Sequence, residues 1–222
     1  MKKVLLSIVS VFFIFSNANA VDFTIGLSGN ASVFAATGTE WESSETGTIE
    51  NRTTEHGAFD DYYPSVFIEA GNEVASIGID FVPVAIETPA NVNDSGNENN
   101  SNSAATSRVS VDFKQHVTLY GLVRAPWYGL YLKAGYAQTD IVINETQKSG
   151  NSYADVDTEG WVAAIGTEID TGVGVNVRAE LAGHIYDDVR TNNGKSSSAN
   201  RNEILVESLI GATARISLVK TF

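Results

Sequence analysis

From residue 22 to the end, the chain alternates between an apolar or small side chain and a polar one. A repeat of two is the mark of a β-strand, whose successive side chains point to opposite faces. Eight segments show it: 22–36, 61–71, 74–84, 108–122, 129–142, 159–169, 173–186 and 203–222. The first sets Phe23, Ile25, Leu27, Gly29, Ala31, Val33 and Ala35 against Thr24, Gly26, Ser28, Asn30 and Ser32. The seventh sets Val173, Val175, Val177, Ala179, Leu181 and Ile185 against Asn176, Arg178, Glu180, Ala182, His184 and Tyr186. The fourth has a flaw, where Gln115 interrupts an apolar face of Val109, Val111, Phe113, Val117 and Leu119.

The connections alternate in length. Asn72-Glu73, the stretch around 125–128 and Thr171-Gly172 are short; 37–60, 85–107, 143–158 and 187–202 are long and polar. Register supports the short turns. Glu69 and Ser76 share a face only if an even-length loop joins their strands, whereas the sixth and seventh strands need an odd one. Eight strands with alternating connections predict an antiparallel up-and-down sheet that closes into a barrel and leaves no edge.

Two closed barrels fit that pattern. A soluble one hides its apolar face inside; a transmembrane one shows it to lipid and keeps the polar face in the lumen. The apolar face is interspersed with Gly29, Ala31, Ala70, Ala163, Ala179, Ala212 and Ala214. Such small residues would leave voids in a packed core but cost little against fluid lipid. The aromatics also sort by depth: Tyr62, Phe81, Phe113 and Trp161 near the long loops, Phe23, Trp127, Tyr128 and Phe222 near the short turns. Two aromatic girdles match the two interfaces of a bilayer. The expected fold is therefore an all-β, eight-stranded antiparallel transmembrane barrel.

Composition adds location and excludes partners. Residues 1–20 carry Lys2 and Lys3, an apolar run from Val4 to Phe15, and the small-x-small ending Ala18-Asn19-Ala20. This is the pattern of a secretory signal peptide cleaved after Ala20, and the apolar run is short for a spanning helix. The expected division is a signal peptide at 1–20 and a barrel at 21–222. The formal charge of the whole sequence is −13, and there is no cysteine. Acidity argues against nucleic acid as a partner; without cysteine, disulfides and thiolate metal sites are excluded.

Three stretches carry a resemblance: "LYLKAGYA" at 130–137, "VRAELAG" at 177–183, and the terminal Phe222 after an alternating strand. Together they resemble the bacterial eight-stranded outer-membrane barrels, the OmpA-type transmembrane domain and its small relatives. The resemblance implies residence in the outer membrane of a Gram-negative cell, contact with outer-membrane lipid and lipopolysaccharide, and insertion by the barrel-assembly machinery. It makes Phe222 the assembly signal, although Lys220 stands where the family usually has an apolar or aromatic residue. It also implies a charge cluster of Lys133, Glu168, Arg178, Glu180 and Arg215 inside the barrel. The residues agree, since all five fall on the lumen register. Buried charges need partners, and eight strands leave little free lumen, so a structural plug is favoured over an ion gate.

Candidate chemistry is sparse. His116 with Thr118, and His184 with Tyr186, share the lumen face, but neither has a serine nucleophile nearby in sequence. A lipid A-modifying enzyme is thus the third choice, and no catalytic residue, cofactor or metal ligand is assigned. The first long connection holds Glu40, Glu42, Glu45, Glu50, Glu55, Asp60 and Asp61 against Arg52. It lacks the ligand spacing of a dedicated calcium loop and reads as a solvated acidic surface. The second, "NVNDSGNENNSNSAATS", is of low complexity, and such polar loops build no core. The expected role is structural or surface interaction, with four polar loops that meet an extracellular ligand or a phage. A narrow porin-like channel for ions or small solutes is the alternative.

Overall fold

The computed structural model describes residues 21–43, 46–89, 91–95, 105–146, 152–195 and 201–222. The expected signal peptide at 1–20 and the centre of the Asn/Ser-rich stretch lie outside them. The described residues form strands β1 (Asp22–Ser43), β2 (Ile49–Gly71), β3 (Ala75–Phe81), β4 (Ile86–Glu87), β5 (Asn91–Ser95), β6 (Ala105–Arg124), β7 (Leu130–Thr146), β8 (Val156–Asp170), β9 (Asn176–Tyr186), β10 (Val189–Asn192) and β11 (Asn202–Thr221). Eight of these pair in the order β1-β2-β3-β6-β7-β8-β9-β11, and β11 returns to β1, so the sheet is an antiparallel ring. The last contact joins Phe23 and Phe222 through both backbone bonds, at 3.3 and 2.8 Å.

The wall faces as the alternation predicts. Phe23, Ile25, Leu27, Ile68, Leu132, Ile165, Leu181, Ile216 and Leu218 are exposed on the outside, while Thr24, Ser28, Asn30, Ser65, Ser76 and Ser217 are buried within. The short turns lie at one end, with the long connections at the other. Asn72 closes the β2–β3 turn, its Oδ1 accepting from the Val74 and Ala75 amides at 2.9 and 3.0 Å. Between β6 and β7, Gly129 adopts φ +61°, and a Cβ there would sit 2.1 Å from the Glu168 carbonyl oxygen.

Two irregularities change the picture at the long-loop end, where bulges commonly re-aim side chains. Pairing of β6 with β7 shifts between Lys114 and Val117, with Gln115 at φ 52°. Pairing of β1 with β11 shifts between Ala35 and Thr37, and Ser208 has φ 56°. Each insertion reverses the in/out parity beyond it. Phe113 therefore does not face lipid as the girdle expectation had it: it turns inward and stacks on Phe34 and Phe59 at centroid distances of 6.4 and 5.9 Å. Asp112 and Lys114, expected on the lumen side, pair with each other at 3.1 Å, with the lysine largely in the open.

The acidic stretch 37–60 is also mostly strand. β1 and β2 remain paired from Asp22↔Gly71 out to Ser43↔Ile49, and β11 follows β1 as far as Glu42↔Asn202. A ribbon thus rises beyond the ring. Loop composition concealed it because Thr37, Thr39, Thr53 and Thr54 satisfy a ladder as readily as apolar residues do. On its other side β2 pairs with β3 only from Val66 to Gly71. Above that point, β3 gives way to residues 82–85 and then to β4 and β5, which ladder to β6. One link crosses back, from the Glu87 amide to Asp61 Oδ2 at 3.1 Å. Among the described residues, the wall between β2 and β4–β5 is therefore a seam in its outer half.

Candidate functional site

Inside the ring, the half nearest the short turns holds two ion-pair clusters side by side, Arg124–Glu69–Arg178–Glu168 and Lys133–Glu180–Arg215–Asp80. Parity of the strands puts Glu69 (β2), Asp80 (β3), Lys133 (β7), Arg178 and Glu180 (β9) inward, each no more than 7% exposed. Arg178 spans the lumen and grips Glu69 with two parallel bonds, Nη1 to Oε1 at 2.6 Å and Nη2 to Oε2 at 2.9 Å. Its Nε donates to Glu168 Oε2 at 2.7 Å. A guanidinium held through its fork is the strongest common ion-pair geometry. Glu69 also accepts from the Tyr120 hydroxyl at 2.9 Å and from Arg124 Nη2 at 3.3 Å. Lys133 donates to Glu180 Oε1, and the Tyr131 hydroxyl donates to Oε2 at 3.0 Å. Arg215 donates to Asp80 Oδ2 at 2.5 Å and to Asn30 Oδ1 at 2.7 Å, and its Nη1 lies 3.9 Å from Glu180 Oε1.

The five residues expected as a cluster are thus brought together, and three more charged groups complete it. Glu69, Asp80 and Arg124 balance it at four carboxylates and four cations. Glu69 and Asp80 were visible on the lumen register; what hid their role was the stagger between strands, which alternation within one strand does not reveal.

Three cross-strand pairs floor this network. Gly26 faces Phe67, Gly78 faces Tyr120 and Gly166 faces Tyr131. A Cβ on these glycines would lie 2.0, 2.5 and 2.3 Å from the respective ring, so each aromatic lies flat across the bare backbone of its neighbour. The rings then carry the cations: Arg178 sits 5.3 Å from the Phe67 centroid and 5.5 Å from that of Tyr131, and Lys133 sits 4.9 Å from Tyr120. Cation–π contact adds attraction without further polar groups to satisfy.

The outer half of the lumen is filled differently. Phe34, Tyr63, Val82, Ile86, Ala137, Val162, Tyr186 and Leu209 form a buried apolar cluster, joined by Phe59 and Phe113. The cavities left in and beside it measure about 10 and 20 Å³. Phe34, Tyr63, Val82, Ala137, Val162, Tyr186 and Leu209 already stand on the lumen parity of their strands, and of the aromatic rings in the cap only Phe113 is turned inward by the bulge at Gln115.

His116 and His184 lie between the halves. His116 Nε2 is 2.8 Å from the Tyr186 hydroxyl, and His184 Nε2 is 2.9 Å from Thr213 Oγ1. Among the described residues, no carboxylate is hydrogen-bonded to either ring, and no three His, Cys, Asp or Glu side chains converge as metal ligands. The expected girdle residues Tyr62, Phe81, Trp161, Phe23, Trp127, Tyr128 and Phe222 are all exposed on the outer surface. Trp161 meets Tyr136 edge-on at 5.2 Å.

A ring of eight strands, apolar outside and filled within, has the fold of the small bacterial outer-membrane β-barrels. Over 90% of this chain and 96% of the other, it is similar to the crystal structure of the outer membrane protein OprG from Pseudomonas aeruginosa, with 10% identity and a TM-score of 0.59. Weaker likenesses are to the solid-state NMR structure of AlkL in lipid bilayers (10% identity, 93% and 92% coverage, TM-score 0.47) and to the crystal structure of Neisserial surface protein A (8%, 92% and 100%, TM-score 0.42). No family model and no curated protein sequence matches the chain.

Proposed function

We propose that the chain is an exported outer-membrane barrel that conducts nothing and works through its outer surface. The observation that carries this reading is the floor: four carboxylates and four cations paired in two clusters that meet through the Tyr120 and Tyr131 rings inside the lumen. Opening it for ions would mean separating pairs that are bonded while dry, and each broken pair leaves a buried charge. The part left to meet the surroundings is the ribbon of β1, β2 and β11 with its neighbouring connections, facing an extracellular ligand or a phage. Phe222, beside Phe23 where the ring closes, is the proposed signal to the assembly machinery. Lipopolysaccharide and lipid are the proposed partners of the wall. The test is planar-bilayer recording of the purified protein at pH 8. The expected result is no stable conductance step; a large, stable pore would overturn the reading.

A second reading is favoured by the seam. An apolar cap behind a wall left unpaired between β2 and β4–β5 would admit a small apolar molecule from outside and release it sideways into lipid. Here the test is a disulfide across the seam, in an Asp61→Cys/Glu87→Cys variant. Oxidation should abolish uptake of a fluorescent alkyl probe into proteoliposomes, and reduction should restore it. Equal uptake in both states removes this reading.

A further inference from the structure

The cap and the floor meet at two imidazoles that the proposed function does not use. His116 on β6 and His184 on β9 are each 7% exposed. Each ring has one partner through Nε2: the Tyr186 hydroxyl for His116 and the Thr213 hydroxyl for His184. Tyr186 belongs to the apolar cluster, and Thr213 is bonded to Ser32 at 2.7 Å. His184 also lies parallel to Tyr186, with an interplanar angle of 4° and centroids 6.2 Å apart. Among the described residues, Nδ1 of both rings finds no hydrogen-bond partner.

Donor accounting gives this arrangement a direction. A neutral imidazole has one donor and one acceptor, whereas an imidazolium has two donors. A second donor on either ring would be buried and unmet, and it would carry charge into a place where charges already balance. The titratable and charged groups around the pair are Tyr63 on β2, Asp80 on β3, Lys133 on β7, Glu180 and Tyr186 on β9, and Arg215 on β11, while β8 presents only Val162 there. Asp80 is already held by Arg215, and Glu180 by Lys133. An imidazolium could gain an anion only by drawing one of these carboxylates from its cation.

We propose that His116 and His184 form a proton-sensitive latch at the boundary between the apolar cap and the ionic floor: with both rings neutral the boundary packs closed, and protonation of either ring parts the two halves. The latch is independent of what the outer surface binds. A barrel that conducted at pH 8 would defeat the closed-barrel reading and leave the latch to be judged by its own experiment.

That experiment is thermal unfolding of the full chain in detergent micelles at pH 8 and pH 5, read by gel mobility. It compares the parent, a His116→Gln/His184→Gln double variant, and His56→Gln as the exposed control. Acid should lower the parent's midpoint, and the drop should be at least twofold smaller in the double variant. His56→Gln should follow the parent. Equal drops in parent and double variant, or no drop in the parent, would overturn the latch. Should the double variant not fold, nitrogen NMR of the parent's histidine rings decides. Titration of the buried rings together with a change in the Tyr186 and Phe113 ring signals supports the latch; titration without that change sinks it.

Discussion

The two halves of the lumen belong to one ring of strands, yet one is filled with ions and the other with rings. The wall accounts for the difference. Around the floor every strand is paired on both sides, including β2 with β3 from Val66 to Gly71. Around the cap, β2 leaves its neighbour and two bulges appear, at Gln115 on β6 and at Ser208 on β11. A buried charge network needs fixed positions and dry surroundings, because each of its bonds is directional and each lost partner is costly. Stacked rings need neither. Phe34 and Phe59 at 5.3 Å keep most of their attraction through small shifts, since aromatic pairs tolerate a range of offsets and tilts. The floor thus occupies the complete part of the ring, and the cap occupies the part that is open along a seam.

If that contrast is right, cutting the floor should do the most damage. Arg178→Ala leaves Glu69 and Glu168 without their principal cation and should lower unfolding free energy by about 3–5 kcal/mol, measured by urea titration in micelles. Arg178→Lys should recover only part of this, because an ammonium lacks the fork that grips both oxygens of Glu69. The cap should respond next. Phe113→Ala should cost about 3 kcal/mol, as deletion of a packed core aromatic does; a loss near zero would return Phe113 to the lipid interface. A single hydroxyl pair in the floor should matter less. Ser28→Ala removes the 2.9 Å bond to Ser217 and should cost about 1 kcal/mol. The smallest effect has the opposite sign. Gln115→Gly relieves a positive φ and should raise stability by up to about 1 kcal/mol. If it instead lowered stability and freed Phe113, the bulge would depend on the glutamine side chain itself.

Much of the ring was legible in the sequence because its signals are local. Alternation fixed which side of each strand meets lipid, and the parity of the short loops fixed how Glu69 and Ser76 share a face. The five charges expected inside are inside for the same reason. The cap was harder to read: Phe34, Tyr63, Val82 and Leu209 stand on the lumen face, where an apolar residue reads as a break in the alternation rather than as filling, and Phe113 joins them only because one extra residue reverses its assignment. Gln115 was visible as a flaw in the alternation, but a flaw alone does not distinguish a bulge from an exposed polar residue. Glu69 and Asp80 stood on the correct face, yet their meeting with Arg178 and Arg215 depends on how far each strand is staggered against the next, and no single strand records that. Gly26, Gly78 and Gly166 did carry a signal. Each pairs directly with an aromatic, and reading the strands two at a time would have found them.

Closure of the ring has a consequence for how the protein is made. Thr24 and Thr221 share a hydrogen bond although 197 positions separate them, and the whole β1–β11 ladder joins the start of the barrel to its finish. Contacts so remote bring no reward until the intervening chain has been ordered. Before they form, β1 and β11 each present a bare edge able to pair with any strand they meet. Assembly should therefore be nearly all-or-none, with ring closure as the late step, and a chaperone or template that shields those two edges would govern the yield.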